Sequence, residues 1–429
     1  MATALDQLLA SAQNAARAGR RDEAVQLWQR ALTQAGEQPV ALNGLGMQAL
    51  QRGDWTAAAA FFQRAIGVDP RAPDLWMNLA KAHRERGDAA AEQIALEGAL
   101  AIDQRHFMAL VRLAELHDRM GDRASAAERW SNVLAIAATV EERSPALEMM
   151  LEHARDTVAA QRADFATMVD AGLAAARERL SPDQRRRADT AIDHALGRRR
   201  IYANHCAGLH VPFLPADEFF ERRHFPWLDG LEAQTAAIRA EFEALVAADA
   251  GIFTPYVGLA PGTPANKWSP LDGSLDWNAL HLWKDGRRDD SVCARVPKTA
   301  AVIEALPLSD LPGRTPTVFF SILRPGAHLP AHTGVSNVRA IIHLPLVVPA
   351  GCSFRVGGET RDWEEGRAWA FDDTIEHEAW NRSDHARAIL ILDAWNPHIP
   401  EPERELLRRF YAVANAAGNT PAGALGVSD

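Results

Sequence analysis

Hydrophobic and polar positions follow two different patterns along the chain. In residues 1–140, alanine-rich apolar positions recur with the period of an amphipathic helix. After about residue 205, prolines and glycines separate short runs of β-branched and aromatic residues, which is typical of strands. The patterns predict an α+β chain of more than one domain, helical at first and strand-rich afterwards.

The helical part contains an internal repeat. Gly19, Gly53, Gly87 and Gly121 are spaced 34 residues apart, and the last three precede an aspartate. This period is that of tetratricopeptide repeats, each of which is a pair of packed helices. Equivalent small positions read Ala31, Ala65, Ala99 and Val133, and equivalent large positions read Trp28, Phe62, Leu96 and Trp130. We predict four repeats over residues 1–140, with looser or shifted packing where Glu92 replaces the small residue of the third repeat.

A tetratricopeptide solenoid presents a concave groove that usually binds an extended peptide or another protein. We therefore expect a peptide or protein substrate in this groove, while the alternative is that the repeats only brace the second domain. Residues 141–204 continue as helix without the repeat register, so we expect a helical cap and linker. The basic run at residues 185–200 is expected to be a solvated helix face.

The strand-rich part, residues 205–405, is predicted to contain one amphipathic helix at residues 227–247. The strand candidates after it are TVFFSILRP, NVRAIIHLPLVV, CSFRVGGETRDW, RAWAFDD, EHEAWN and RAILILDAW. Many short strands separated by turns indicate a barrel or sandwich, and a jelly roll is the type that commonly holds a metal in its mouth. Residues 406–429 are expected to form a C-terminal helix and a flexible tail.

Composition narrows the classes of partner and compartment. A formal charge of -10 over 429 residues argues against general binding to nucleic-acid phosphates, which needs a clustered surplus of lysine and arginine. The three cysteines have no CxxC spacing, which suggests a reducing compartment. We find neither a basic leader segment nor an apolar run of about 18 residues, so we expect a cytoplasmic protein without a membrane span.

Two histidines in the strand-rich part are candidate metal ligands. His332 and His377 lie near strand candidates, and imidazoles from two strands of a small barrel can meet at one iron, zinc or copper ion. Gly334 stands where the common iron site with two histidines and one carboxylate would have its carboxylate. The histidine pair alone is weak support for a metal site.

Arg387 adds to the case because it begins the apolar run RAILILDAW. A buried arginine needs a partner, and a planar carboxylate matches its geometry. The partner is either the carboxylate of a ligand or an internal ion pair, for which the candidates are Asp372, Asp373 and Asp393.

Acidic residues close to His377 need separate consideration as metal ligands. Glu376 and Glu378 are its neighbours on a strand and therefore point to the opposite face. Asp373 has the same parity as His377, but on an extended strand it would lie roughly 13 Å away. We expect Asp372 and Asp373 to form the turn or to contact the metal-ligating side chains without binding the metal themselves.

Several segments resemble the aspartyl/asparaginyl β-hydroxylase family of iron(II)- and 2-oxoglutarate-dependent oxygenases. They are DWNALHLWKDGRRDDSVCARVPKT, SILRPGAHLPAHTGVSNVRAIIHLPL, CSFRVGGETRDWEEGRAWAFDDTIEHEAWN and RAILILDAWNP. The resemblance covers about residues 215–402 and includes the HTG, FDD and HE motifs and the distal arginine in one order and spacing. It implies a double-stranded β-helix (jelly-roll) oxygenase domain after the repeats.

The resemblance also implies residue roles. His332 and His377 match the two histidines that hold Fe(II), and no carboxylate completes the site in this family. Arg387 matches the arginine that binds the distal carboxylate of 2-oxoglutarate. The other matches are Ser321 and His343 in the 2-oxoglutarate pocket, Trp277 beside it and Arg339 near the substrate carboxylate.

One position departs from the animal enzymes of the family. Ile341 stands where those enzymes carry a second arginine that contacts the aspartyl substrate. A charge-assisted hydrogen bond contributes roughly 1.5–3 kcal/mol, so its loss is large enough to change the substrate. We expect dioxygen-dependent hydroxylation of a carbon, at the β-carbon of a peptidyl aspartate or asparagine. The alternatives are a lipid or small-metabolite hydroxylase, a radical halogenase that binds chloride beside Gly334, and a non-catalytic repeat-based adaptor.

Overall fold

The computed structural model describes residues 4–418. It divides the chain into two compact units, Met1–Arg179 and Leu180–Asp429. The unit boundary falls inside the segment 141–204 that the sequence suggests as cap and linker.

The first unit is all helical. Its helices are α1 (Ala4–Arg17), α2 (Arg21–Ala35), α3 (Pro39–Gln51), α4 (Trp55–Val68), α5 (Pro73–Glu85), α6 (Ala89–Ile102), α7 (Phe107–Met120), α8 (Arg123–Ala137) and α9 (Pro145–Arg177). Asp54, Asp88 and Asp122 accept hydrogen bonds from the first turns of α4, α6 and α8. Each follows a glycine whose φ of 72° to 78° favours residues without a side chain. The predicted helix pairs with a tetratricopeptide-like repeat are confirmed.

Glu92 fills its repeat position in a way that the sequence did not indicate. Its side chain is buried, and both carboxylate oxygens accept hydrogen bonds from Arg119 Nη2 at 2.8 and 2.7 Å. The guanidinium supplies the partner that a buried carboxylate requires. An ion pair between α6 and α7 therefore replaces the small residue of the third repeat.

The second unit combines helices with two antiparallel sheets. Its helices are α10 (Pro182–Ala195), α11 (Leu228–Glu232), α12 (Thr235–Ala248), α13 (Asp290–Cys293), α14 (Pro297–Glu304) and α15 (Glu401–Ala416). Its strands are β1 (Thr254–Pro255), β2 (Trp277–Lys284), β3 (Arg287–Arg288), β4 (Val318–Leu323), β5 (His328–His332), β6 (Arg339–Val347), β7 (Cys352–Val356), β8 (Glu359–Asp362), β9 (Trp369–Phe371), β10 (His377–Asn381) and β11 (Arg387–Trp395).

From β4 to β11 the chain passes back and forth between two sheets. One sheet has the order β1-β2-β4-β11-β6-β9, with β3 paired to β2, and the other has the order β5-β10-β7-β8. Helices α11 to α14 pack on one face of the larger sheet through residues such as Phe242, Ile303 and Phe320. The other face meets the smaller sheet through residues such as Leu323 and Phe354. The predicted antiparallel β-domain is therefore confirmed.

Several local expectations differ from the structure. The helix expected at residues 227–247 is interrupted, and there the Thr235 hydroxyl donates a hydrogen bond to the carbonyl of Glu232. The basic run is not simply solvated, because Arg186 binds Glu359 and Arg199 binds Glu218. The tail expected after the C-terminal helix lies, from residue 419 onward, outside the described residues. Within residues 4–418 the helices are all too short or too polar to cross a bilayer.

Candidate active site

A cavity of about 140 Å³ lies between the two sheets. Alternation along the central strands decides which side chains reach it, since successive residues of a strand point to opposite faces. On β6, Arg339, Ile341 and His343 line the cavity, while Ile342 and Leu344 face the helices. Most of the polar residues expected at the site are thereby brought to one place.

The two candidate metal ligands are cross-strand neighbours. His377 begins β10 and pairs in register with His332 at the end of β5, and their ring centroids are 4.1 Å apart. The sequence predicts no separate strand at residues 328–332, so this pairing is not evident from the sequence. Within residues 4–418, no third histidine, cysteine or acidic side chain joins them in a metal-binding group.

Backbone carbonyls fix the tautomer of both histidines. His332 Nδ1 lies 2.7 Å from the carbonyl of Pro330, and His377 Nδ1 lies 3.0 Å from the carbonyl of Ile375. A carbonyl only accepts, so each Nδ1 carries the proton and each Nε2 keeps its lone pair. Burial lowers the pKa of both imidazoles, which also keeps them neutral. Neutral rings with a held Nδ1–H fit the requirements of a metal ligand.

Asp373 occupies the space beside Gly334. A Cβ atom built on Gly334 would lie 2.2 Å from the Asp373 Cγ atom. The expected separation of roughly 13 Å between Asp373 and His377 assumes an extended strand, but residues 372–376 form a turn between β9 and β10. The carboxylate thus lies where a side chain at position 334 would start.

Arg387 is almost fully buried, at 2% exposure. Its Nε and Nη1 atoms have no hydrogen-bond partner, and no carboxylate among the described residues contributes to its electrostatic surroundings. Burial lowers its pKa to about 10, because no carboxylate compensates the lost hydration. None of the aspartates considered as internal partners is bound to it. The unsatisfied guanidinium lines the cavity, where an anionic ligand would complete its hydrogen bonds.

The other residues expected around the 2-oxoglutarate pocket also line the cavity. Trp277 Nε1 donates a hydrogen bond of 3.1 Å to Ser321 Oγ. This bond occupies an acceptor site of the hydroxyl and leaves its proton for another acceptor. His343 Nδ1 has no partner, and burial followed by the charge of Arg387 lowers the pKa of this imidazole far below its ordinary value.

Arg339 lies at the other end of β6 and has two internal partners. Its Nη1 and Nη2 donate hydrogen bonds of 3.2 Å to Asp393 and Asp373. Burial lowers the pKa of its guanidinium, but the two carboxylates outweigh burial and the net shift is upward. The arginine expected near a substrate carboxylate is therefore already paired.

The remaining acidic residues serve the scaffold. Glu376 and Glu378 bind Arg355, away from the cavity. Asp372 accepts hydrogen bonds from Thr374 and Asn204 and holds the turn. Sequence reasoning missed the aromatic lining formed by Tyr256, Trp268 and Trp363, for which the sequence carries no local signal.

Residues 232–397 match the aspartyl/asparaginyl beta-hydroxylase family, and residues 9–70 and 45–107 match the tetratricopeptide repeat. The chain is similar to a mouse protein named aspartyl/asparaginyl beta-hydroxylase, with 41% identity over 31% of this chain and 18% of that protein. The chain thus spans less than a fifth of the length of that relative.

Two further relatives cover more of this chain. A Rhizobium tropici protein named ornithine lipid ester-linked acyl 2-hydroxylase is 30% identical over 47% of this chain and 77% of its own length. A rat protein named aspartate beta-hydroxylase domain-containing protein 2 is 30% identical over 47% of this chain and 57% of its own length.

Proposed function

The chain belongs to the aspartyl/asparaginyl beta-hydroxylase family, and from that membership we propose that it is an Fe(II)- and 2-oxoglutarate-dependent dioxygenase. The observation that carries the proposal is the unpaired, buried Arg387 in the same cavity as the two facing histidines. We interpret the order of strands β4 to β11 in the two sheets as that of a jelly roll.

The proposed roles follow from the atoms left available. His332 and His377 would hold Fe(II) through Nε2, since each Nδ1 is bound to a carbonyl. Arg387 would bind the distal carboxylate of 2-oxoglutarate, with hydrogen bonds from Ser321 and His343 nearby, and Trp277 orients the serine hydroxyl. When bound, iron and 2-oxoglutarate would supply the dioxygen chemistry that places one oxygen on a substrate carbon and yields succinate and carbon dioxide.

Asp373 bears on the choice between hydroxylation and halogenation. Its carboxylate lies beside Gly334, the place at which a halogenase would admit chloride. Arg339 is shared between this carboxylate and Asp393, so the excess negative charge there disfavours an anion. The Asp373 Oδ1 atom is buried and has no hydrogen-bond partner, so it can accept a hydrogen bond from a donor on that side of the site. Hydroxylation is therefore favoured.

The substrate is proposed from the repeats and the relatives. Tetratricopeptide repeats commonly bind peptides, which supports the β-carbon of an aspartate or asparagine in a peptide held by the first unit. The second candidate is a lipid acyl chain, which the similarity to the ornithine lipid hydroxylase favours. A mass increase of one oxygen on peptide or on lipid, compared between wild-type and deletion strains, distinguishes these two substrates.

The enzyme proposal can be tested with the purified full chain. Under anaerobic conditions, Fe(II) and 2-oxoglutarate together should produce a visible charge-transfer band, and adding dioxygen should release succinate. His332→Ala and His377→Ala should lose both signals. His328→Ala is the matched control, because this histidine lies on the same strand but is exposed and bound to Glu378. A wild-type protein without the band would support the non-catalytic adaptor instead.

A further inference from the structure

The cavity has two chemically different ends. Arg387 and His343 lie at the end proposed for 2-oxoglutarate, whereas Arg339 lies four residues before His343 on the same face of β6. Four residues of an extended strand span roughly 13 Å, so 2-oxoglutarate and the reacting part of a substrate can lie one after the other along the cavity. The Arg339 end is therefore the place for the reacting part of the substrate.

At the Arg339 end of the cavity, the positive charge of the arginine is already compensated by aspartates of the protein. Arg339 binds Asp373 and Asp393 through separate nitrogen atoms, and the backbone N–H of Thr317 also donates to Asp393 at 2.8 Å. Among the described residues that line the cavity, the charged ones are two arginines and two aspartates. With Arg387 and Fe(II) both assigned to the two carboxylates of 2-oxoglutarate, one arginine at this end faces two aspartates. A substrate carboxylate would meet repulsion here without gaining an unpaired cation.

Hydrogen-bonding capacity remains at the same end. Arg339 Nε is a buried donor without a partner, and Asp373 Oδ1 is a buried acceptor without a partner. A carboxamide offers a carbonyl for a donor and an N–H for an acceptor, so it can satisfy both kinds of atom. A carboxylate offers acceptors only, and its second oxygen would oppose that of Asp373.

Apolar side chains surround these polar atoms. Ile341 follows Arg339 on the cavity face and is nearly buried. Phe371 of the neighbouring strand β9 is the cross-strand partner of Ile341 and also lines the cavity. Such surroundings penalise a charged group that lacks a partner more than an uncharged one.

We propose that the Arg339–Asp373–Asp393 cluster selects an uncharged carboxamide over a carboxylate, so that asparagine-type side chains are preferred to aspartate-type ones. The proposal rests on the proposed function, because it assumes that Arg387 is reserved for 2-oxoglutarate. Within that function it names the substrate class and the residues that determine it.

Two probes of equal size test the preference, N-acetyl-asparagine methylamide and N-acetyl-aspartate methylamide. Each is titrated by calorimetry into the full chain loaded with Fe(II) and 2-oxoglutarate under anaerobic conditions. One additional unsatisfied or repelled polar group changes affinity by about tenfold or more, so the asparagine probe should bind at least about tenfold more tightly. Equal binding, tighter binding of the aspartate probe, or no binding of either would overturn the proposal.

A variant on the cavity face tests the cause. Ile341→Arg places a second cation opposite Asp393, its cross-strand partner, and balances the two aspartates, which should reduce the preference by about tenfold. Ile341→Met is the matched uncharged control. Asp393→Asn removes one anion and should change the ratio in the same direction. The charge-transfer band is recorded for every protein. If the band is absent from the wild type, the proposed function fails; if the band is present and Ile341→Arg leaves the ratio unchanged, only the selectivity proposal fails.

Discussion

Replacing Arg387 by methionine should have opposite effects on ligand binding and on stability. Methionine is unbranched and uncharged and fills only the inner part of the space, so the substitution removes a buried guanidinium that no described side chain neutralises. If Arg387 had a structural role, its removal would destabilise the fold. If Arg387 instead serves to bind a ligand carboxylate, its removal should make the ligand-free protein more stable.

The magnitude follows from the burial of the group. Burial lowers the pKa of Arg387 to about 10, far below the ordinary value for arginine. Below that pH the folded state carries the whole penalty for the buried charge, which corresponds to about 3 kcal/mol. The guanidinium also stacks on Trp363, 5.2 Å from the ring centroid, and losing this contact offsets part of the gain. We expect a net stabilisation of about 1–3 kcal/mol at neutral pH.

Arg387→Met should greatly weaken the binding of 2-oxoglutarate, although it stabilises the ligand-free fold. Two charge-assisted hydrogen bonds of about 1.5–3 kcal/mol each correspond to a loss of roughly 10²- to 10⁴-fold in affinity. Urea unfolding without 2-oxoglutarate gives the stability, and calorimetric titration gives the affinity. Arg382→Met is the control, because Arg382 lies in the same unit but is exposed. A destabilised ligand-free protein with unchanged 2-oxoglutarate affinity would refute the reasoning.

Three further predictions concern the substrate end of the cavity. Arg339→Met should destabilise the fold by about 3–5 kcal/mol in urea unfolding, because it leaves Asp373 and Asp393 buried without their cation, and a loss below about 1 kcal/mol would contradict the ion-pair assignment. Gly334→Ala should cost about 1–3 kcal/mol, since its Cβ would lie 2.2 Å from Asp373 Cγ, and a melting temperature equal to wild type would show that the carboxylate moves freely. Burial, opposed by Arg339, raises the pKa of Asp393 to about 6, so the folded state binds a proton that the unfolded state has released at pH 5. The unfolding free energy of wild type relative to Asp393→Asn should therefore increase by about 1 kcal/mol between pH 7 and pH 5, and a pH-independent difference would exclude this titration.

The helix pairs of the first unit could be predicted because their signals are local. The glycine that begins each turn and the aspartate that caps the next helix are adjacent in the sequence, as Gly53 and Asp54 show. The partner of Glu92 was not predictable in the same way. Arg119 lies 27 residues away, and only the packing of two helices brings it to that carboxylate.

The strand-rich part was predicted less completely. Strands β6 and β11 were evident as apolar runs, whereas β2 and β5 were not recognised. Strand β5 contains a proline and polar residues, so its pairing with β10 is decided by the sheet and not by its own pattern. The contact between His332 and His377 depends on that pairing.

The sequence by itself determined the repeat, most of the later strand segments and the candidate polar residues, because period, turn residues and motif spacing are properties of neighbouring positions. Only the tertiary structure decided which charges meet. Asp373 and Asp393 bind Arg339, from 34 and 54 residues away, and leave Arg387 without an internal partner. The physical reason is that strand alternation fixes which face a side chain takes, while the order of strands in the sheets fixes its neighbours across the cavity.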